Sequence, residues 1–179
     1  MLDTNFVNTI NTLSAQTIQL CYHCHKCTAG CPVASEMEYG PDRILRMVQL
    51  GDKERLLTSH DIWLCASCET CGTRCPNEID IARVMDALRQ SALLEGAAIA
   101  EPDAVKFHKL FLFVVQNMGR MHEASMLAAF KLWTMNLISD MDSGAVMFLK
   151  GKVPLLPSLV KDRAQIKQIF DRTKIKGQE

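Results

Sequence analysis

Cys21-Tyr22-His23-Cys24-His25-Lys26-Cys27-Thr28-Ala29-Gly30-Cys31-Pro32 is the stretch that decides the fold of this chain. The same cysteine spacing returns 44 residues later, in Cys65-Ala66-Ser67-Cys68-Glu69-Thr70-Cys71-Gly72-Thr73-Arg74-Cys75-Pro76. The two runs contain all 8 cysteines of the 179-residue chain. Three thiolates at C-x-x-C-x-x-C spacing can converge on one face of an iron–sulfur cubane, so each run predicts a cluster.

The cysteine before each proline has a different role from the other three. In proteins with two clusters and this spacing, the fourth cysteine of each run ligates the other cluster. The sequence therefore predicts two 4Fe–4S clusters with crossed ligation. Cluster 1 is assigned to Cys21, Cys24, Cys27 and Cys75, and cluster 2 to Cys65, Cys68, Cys71 and Cys31. Two clusters in one small chain indicate a relay for single electrons, and no catalytic residue is predicted.

Other uses of the cysteines fit this spacing less well. Disulfide frameworks belong to oxidising compartments, and residues 1–5 lack the basic stretch and apolar run of a signal peptide. Structural zinc usually takes two C-x-x-C pairs, which leaves the third cysteine and the C-x-x-x-C-P ending without a role. A zinc-stabilised interaction module remains the alternative outside redox chemistry. His23 and His25 are interpreted as loop residues, because four cysteines are available for each cluster.

Composition and charge exclude several functions. Lys plus Arg and Asp plus Glu number 20 each, so no net charge attracts nucleic acid or an anionic membrane. The longest apolar run, residues 110–115, is much shorter than the roughly 18 residues of a membrane span. Reduced thiolates and cubane clusters suit the cytoplasm. We therefore expect a soluble cytoplasmic protein with no direct membrane insertion and no nucleic-acid partner.

Outside the cysteine runs, apolar residues recur at helical spacing, and no convincing alternating strand is found. The strongest pattern follows the capping residue Asp80 and comprises Ile81, Val84, Met85, Leu88 and Ala92. Pro102 is expected to begin a helix that ends near Met118. The predicted fold is all-α, with a helical ferredoxin-like module that holds two 4Fe–4S clusters at residues 1–98. Residues 99–179 form a C-terminal helical extension, interpreted as a docking region for other subunits.

Five segments resemble the C subunit of heterodisulfide reductase, and together they cover about residues 20–95. They are IWLCASC at 62–68, TCGTRCP at 70–76, DIARVMDALR at 80–89, CHKCTAGCP at 24–32 and ILRMVQLG at 44–51. Beyond residue 105 the resemblance rests on length and helical character alone.

The resemblance implies an electron-transfer subunit in a cytoplasmic complex. In that family a flavin- and cluster-bearing A subunit passes electrons to the C subunit. The C subunit passes them to the B subunit, which reduces the mixed disulfide of coenzyme M and coenzyme B in methanogens. Catalytic B subunits carry paired Cys-Cys-Gly motifs, and this chain has no adjacent cysteines. The resemblance therefore places the disulfide-reducing site in another subunit, within a heterotrimer that can pair into a larger dimer.

The iron–sulfur subunit of another cytoplasmic oxidoreductase is the second hypothesis. The fused iron–sulfur subunits of glycolate and glycerol-3-phosphate dehydrogenases resemble this ligand pattern too, but they normally continue into Cys-Cys-Gly domains. Succinate and fumarate enzymes normally add a 2Fe–2S domain with its own cysteines, and no cysteine here is left over for one.

Loop charges predict which cluster is easier to reduce. The first loop carries His23, His25 and Lys26, whereas the second carries Glu69 and Arg74. Positive charge near a cluster favours its reduced form. On this basis alone, cluster 1 is predicted to be reduced first.

Overall fold

The computed structural model describes residues 3–135, 146–147, 149–150, 160 and 162–173. Helices and turns make up these parts of the chain, and none of the described residues lies in a strand, which confirms the all-α prediction. The backbone forms two compact units, Met1–Glu101 and Pro102–Glu179. None of the described helices combines the length and apolar character that a membrane span requires.

The first unit contains seven of the described α-helices: α1 (Thr4–Ser14), α2 (Lys26–Ala29), α3 (Gly40–Gln49), α4 (Lys53–Leu57), α5 (Asp61–Leu64), α6 (Thr70–Thr73) and α7 (Ile81–Leu94). Short 3-10 turns occupy Ile18–Leu20 and Ala34–Glu36. The described helices of the second unit are α8 (Pro102–Met118), α9 (Glu123–Thr134) and α10 (Arg163–Thr173).

Before the first cysteine loop, the first helix ends earlier than the apolar pattern predicts. Apolar spacing predicts a helix over residues 5–19, but α1 ends at Ser14, and its C-cap Ala15 adopts a left-handed conformation with φ 53°. The Asn11 side chain folds the following segment back, since its Oδ1 accepts a hydrogen bond from the Ile18 amide at 3.2 Å. The side chain of Asn11 also donates to Gln19 at 2.8 Å. A polar side chain thus redirects the backbone toward Cys21.

The core of the first unit lies on α7, whose predicted apolar face is confirmed. Asp80 caps this helix by accepting from the Arg83 amide at 3.1 Å. The face is fully or almost fully buried and packs against α1, α4 and α5. On α3, Ile44, Leu45 and Val48 are buried in the same core. Because α3 and α7 follow the first and second cysteine runs, this core fixes the two runs relative to each other.

A buried carboxylate joins the two halves of the first unit. Asp61 is completely buried at the start of α5. Its carboxylate accepts hydrogen bonds from three successive backbone amides, those of Glu38 at 2.9 Å, Tyr39 at 2.6 Å and Gly40 at 3.3 Å. These amides lie at the start of α3, where unpaired donors are otherwise left. Asp61 therefore ties the segment after Cys31 to the helix that leads into Cys65.

Replacing Asp61 with Asn is expected to loosen this connection. The amide has a single acceptor oxygen, so at least one of the three backbone donors, which are buried or partly buried, loses a charge-assisted partner, at a cost of about 2 kcal/mol. Hydrogen exchange at residues 38–40 should then accelerate by about 30-fold. Glu54→Gln, at an exposed position on α4, is the matched control and should leave exchange there unchanged. Equal rates in Asp61→Asn and the wild type would contradict this role.

The second unit has a small core of its own. Leu110 and Val114 of α8 and Met126 of α9 are buried together, and Phe107 stacks edge-on against Phe130 with ring centroids 5.7 Å apart. The predicted helix from Pro102 to Met118 is confirmed. Helical spacing also predicts a helix over residues 123–141. In the structure α9 ends at Thr134, and residues 136–141 lie outside the described residues. Several large apolar side chains of α8 and α9 are exposed: Phe113, Leu127, Leu132 and Trp133.

Candidate metal centres

The eight cysteines line two cavities in the first unit. Site 1 is the cavity lined by Cys21, Cys24, Cys27 and Cys75. Site 2 is the cavity lined by Cys31, Cys65, Cys68 and Cys71. The space between the atoms is about 280 Å³ at site 1 and about 360 Å³ at site 2, including space open to solvent. The fold therefore brings together the same crossed sets of four cysteines that the sequence analysis assigns to clusters. Ligation by these residues stays a prediction.

The two cysteine loops share an unusual backbone. His23 and His25 in the first loop have φ values of 59° and 61°, and Ser67 and Glu69 at the same positions of the second have 49° and 59°. A residue other than glycine costs about 1–2 kcal/mol in this left-handed conformation. His25 and Glu69 directly precede the helices α2 and α6, and a left-handed residue next to a right-handed one turns successive amide groups toward one concave side, as in many iron–sulfur sites. This repeated backbone fits loops that surround a cluster of thiolates.

The thiols of each site differ in their exposure. Cys24 and Cys68, the second cysteines of their runs, are exposed, whereas Cys27 is buried. Cys27 lies on α2 and Cys71 on α6, and these two helices pack against each other. Each site therefore presents one edge to solvent and has its third cysteine on a helix that packs against the other half of the unit.

Burial and local hydrogen bonds shift the pKa of several thiols. Burial raises the pKa of Cys21 and of Cys27. Burial, reinforced by the neighbouring Cys65, raises the pKa of Cys71 to about 11. Hydrogen bonding with Thr70 lowers the pKa of the exposed Cys68. Since iron binds thiolates, loading these sites must release protons from the thiols whose pKa is raised.

A glutamine on α3 braces the first loop. The Gln49 amide nitrogen donates to the carbonyl oxygens of Ile18 at 2.9 Å and of Cys21 at 3.1 Å. Its side-chain oxygen lies 2.8 Å from Nε2 of His23. Gln49 thus contacts the first cysteine of the run, the residue three positions before it and the residue two positions after it.

An arginine on α7 braces the second loop at the same three positions. Arg89 donates through Nε to the carbonyl oxygen of Ile62 at 2.5 Å, and through Nη2 to the carbonyl oxygen of Cys65. Its Nη1 lies 3.4 Å from the Ser67 hydroxyl. Sequence reasoning missed both braces. A signal was present in the sequence: three apolar residues at the same spacing precede each of them. These residues are Ile44, Leu45 and Val48 before Gln49, and Val84, Met85 and Leu88 before Arg89.

Arg89→Met is expected to weaken cluster retention at site 2. The substitution keeps an apolar stem but removes the donors to two loop carbonyls, and loss of groups that orient metal ligands typically costs about 10–100-fold in metal affinity. We expect half of the bound iron to be lost about 10-fold faster to a chelator, with the other half unaffected. Arg83→Met, on the exposed side of the same helix, is the control. Uniform iron loss in both variants would show that Arg89 acts only through general stability.

The repeat extends from the loops to the cavity walls. Helix α3 contributes Asp42 and Leu45 to site 1, and Pro41 to site 2. Helix α7 contributes the corresponding Ala82 and Met85 to site 2, and Ile81 to both sites. The sequence analysis recognised a repeat in the ligands. The structure shows that the flanking helices repeat too, although few of their residues are identical.

Asp42 is the one buried carboxylate among the described residues that line either cavity. It accepts a hydrogen bond from the Thr28 hydroxyl and lies 2.7 Å from Nδ1 of His25. Burial alone raises the pKa of Asp42, but the bonds to Thr28 and His25 outweigh this and leave the pKa below its ordinary value. Asp42 is therefore ionised at neutral pH.

The donors of both sites fit an iron–sulfur cluster. Soft thiolates are the ligands that such clusters prefer, and each cavity offers four. Among the described residues, no three Cys, His, Asp or Glu side chains converge closely enough to hold a single metal ion. The cysteines of each set surround a cavity, as ligands of a cluster of several atoms do.

Comparison with known proteins agrees with this chemistry. Residues 20–80 match the family described as "4Fe-4S dicluster domain". The chain is 34% identical to an iron-sulfur C subunit of the CoB–CoM heterodisulfide reductase of Methanocaldococcus jannaschii over 103 residues, which cover 53% of this chain and 55% of that protein. It is 35% identical to the corresponding iron-sulfur C subunit of Methanopyrus kandleri over 80 residues, 45% of this chain and 42% of that protein.

A third similar protein is also a C subunit of a heterodisulfide reductase. The C subunit of the ferredoxin:CoB–CoM heterodisulfide reductase of Methanosarcina acetivorans is 37% identical over 79 residues, 44% of this chain and 32% of that protein. The chain thus spans about half, or less, of the length of these curated relatives. Residues 20–80 therefore resemble a 4Fe-4S dicluster domain, and the resemblance to the C subunit of heterodisulfide reductase is confirmed.

Proposed function

We propose that this chain, whose dicluster domain resembles that of heterodisulfide reductase C subunits, is the electron-transfer subunit of a related cytoplasmic complex. Two 4Fe–4S clusters, one held at site 1 and one at site 2, relay single electrons from a flavin-containing A subunit to a disulfide-reducing B subunit. When bound, the clusters supply reversible one-electron chemistry. The protein supplies their ligands, their spacing and their access to partners.

A single observation carries this proposal. Each cavity is lined by four thiols, three from one cysteine run and the fourth from the other. The short helices α2 and α6, which carry one cysteine of each site, pack against each other, so the two sites are adjacent. Each site also has an exposed cysteine. Two adjacent redox centres, each with an edge at the surface, are what a relay between two partner proteins requires.

The absence of adjacent cysteines supports assigning electron transfer to this chain and disulfide reduction to a partner. All 8 cysteines fall into the two runs, so the chain offers no Cys-Cys-Gly motif of the kind that catalytic B subunits carry. Disulfide reduction is therefore assigned to a partner. The second unit, with its exposed Phe113, Leu132 and Trp133, is assigned to docking of the other subunits.

Metal and sulfide analysis of the full chain, purified without oxygen, tests the proposal. Two cubanes predict about eight iron and eight acid-labile sulfide per chain, with visible absorbance that dithionite bleaches. About two zinc and no sulfide would contradict it and support a structural zinc module.

Isolation of the native complex tests the assignment of partners. A flavoprotein and a protein with Cys-Cys-Gly motifs should co-purify with the chain. Clusters present without these partners, but with another dehydrogenase, would instead support the iron–sulfur subunit of a different cytoplasmic oxidoreductase. The similarity covers 32–55% of the three relatives described above, so it supports cluster binding more strongly than any choice of partners.

A further inference from the structure

We propose that the cluster at site 2 has the higher midpoint potential, because a buried carboxylate borders site 1 and a largely buried guanidinium braces site 2. This inference rests on the proposed function, since it requires a cluster at each site. It reverses the order that the loop charges predict. The two halves of the first unit repeat each other, so residues beside one site can be compared with their counterparts at the other.

The first difference lies at one matched position on α3 and α7. Asp42 borders site 1, and its counterpart Ala82 borders site 2. Both residues are buried. A negative charge in a poorly solvated wall opposes the addition of an electron to the adjacent cluster, and a methyl group does not. The difference therefore lowers the midpoint potential at site 1 alone.

The positive residues near site 1 do not cancel this charge. The His25 side chain, which lies against Asp42, is 70% exposed, whereas the Asp42 side chain is 6% exposed. Lys26 is exposed as well. Water and salt screen exposed charges far more than buried ones. Asp42 is also held ionised by its bond with the Thr28 hydroxyl, which involves no counter-charge.

The second difference lies in the residues that brace the loops. Gln49 is neutral, whereas its counterpart Arg89 carries a full positive charge to the carbonyl oxygens of Ile62 and Cys65. The Arg89 side chain is 12% exposed, and its ion-pair partner Asp86 is 62% exposed, so solvent screens the negative member more strongly. Positive charge beside the loop of site 2 favours the reduced cluster and raises its midpoint potential.

Backbone conformation, cysteine exposure and one apolar wall position are matched between the sites. Both loops have left-handed residues at the same two positions, and both expose their second cysteine. Leu45 and Met85 supply an apolar side chain at corresponding positions of the two walls.

The exposed loop charges differ, with Lys26 lining site 1 and Glu69 lining site 2. Because solvent screens these exposed charges, the buried charges are the main contrast. With clusters bound, Asp42 beside site 1 and Arg89 beside site 2 would together favour the electron at site 2.

Potentiometric titration of the cluster-loaded full chain, followed by EPR, tests this order. Asp42→Asn removes the buried charge and keeps the size of the side chain, so it should raise the lower of the two midpoint potentials. Arg89→Gln installs the residue found at the matching position and should lower the higher one. Each variant is expected to change electron partition between the clusters by about tenfold, which is about 59 mV for a one-electron couple. Glu36→Gln, at an exposed position, should move neither potential.

Each outcome decides the proposal. It is supported if the two variants act on different potentials and bring them closer together. It is overturned if Asp42→Asn raises the higher potential, if Arg89→Gln lowers the lower one, or if neither moves. Should Asp42→Asn fail to retain a cluster, Arg89→Gln alone gives the order. Wild-type protein without clusters refutes the proposed function itself, whereas two clusters in the opposite order refute only this inference.

Discussion

Replacing Cys68 with serine is expected to stop electron transfer through this chain while leaving it folded. Cys68 is an exposed member of site 2, and serine offers a harder oxygen ligand that iron–sulfur clusters do not favour. The core on α7 does not depend on this side chain, so the helices should persist. Bound iron should fall from about eight to about four per chain. Turnover of the native complex should fall to background.

Thr73→Ser, an exposed position on the same loop, is the control for nonspecific damage. It should retain both clusters and full turnover. The expected result for Cys68→Ser combines an unchanged helical circular dichroism spectrum with the loss of one EPR signal. Full turnover with one cluster missing would show that electrons do not pass through both sites, and the proposed relay would then be wrong.

Removal of both clusters with an oxidant and a chelator is expected to release the two cysteine loops. His23, His25, Ser67 and Glu69 are held in left-handed conformations that cost free energy, and such residues persist only where surrounding contacts fix them. In the proposed arrangement the clusters would supply those contacts, because each would link thiols from both runs. Hydrogen exchange in residues 21–31 and 65–75 should accelerate by at least about 100-fold, corresponding to roughly 3 kcal/mol of lost protection.

The second unit provides an internal control for this experiment. Its core of Leu110, Val114 and Met126 contains no cysteine. Exchange in α8 and α9 should therefore be the same before and after removal of the clusters. Unchanged protection in the cysteine loops would show that the fold alone maintains their backbone, and the clusters would then have no part in organising them.

The sequence predicted those parts of the fold that depend on spacing. Apolar residues at intervals of three and four located the face of α7, and Asp80 and Pro102 marked two helix starts. The cysteine spacing predicted which three thiols of each run lie together, because the chain within each run is short and its reach is limited. The crossed fourth thiol followed from the known pattern of two-cluster proteins and not from local spacing.

Features that depend on tertiary contacts were not predictable in this way. Asn11 breaks the expected helix over residues 5–19 by bonding to the Ile18 amide, and nothing in the apolar pattern indicates that contact. Gln49 and Arg89 brace the two loops from helices further along the chain, 28 residues beyond Cys21 and 24 residues beyond Cys65. Their roles become visible only when the halves are compared in space.

The burial of charged side chains also changed the predicted order in which the clusters are reduced. A sequence shows that charged residues are near the cysteines, but it does not show which of them are solvated. Lys26 and Glu69, which contribute to the count of loop charges, are exposed. Asp42 lies outside the cysteine loop and does not enter that count, although it is the buried charge that lines site 1. The proposed order of the potentials follows from that difference in solvation.

Paired cysteine variants test the crossed arrangement of the two sites most directly, with iron and sulfide content as the measurement. Cys21→Ser combined with Cys75→Ser removes two members of site 1, so the chain should keep about four iron and the EPR signal of site 2. Cys65→Ser combined with Cys75→Ser removes one member of each site, and both clusters should be lost. If the second pair instead keeps about four iron while the first loses all of it, each run holds its own cluster and crossed ligation is contradicted.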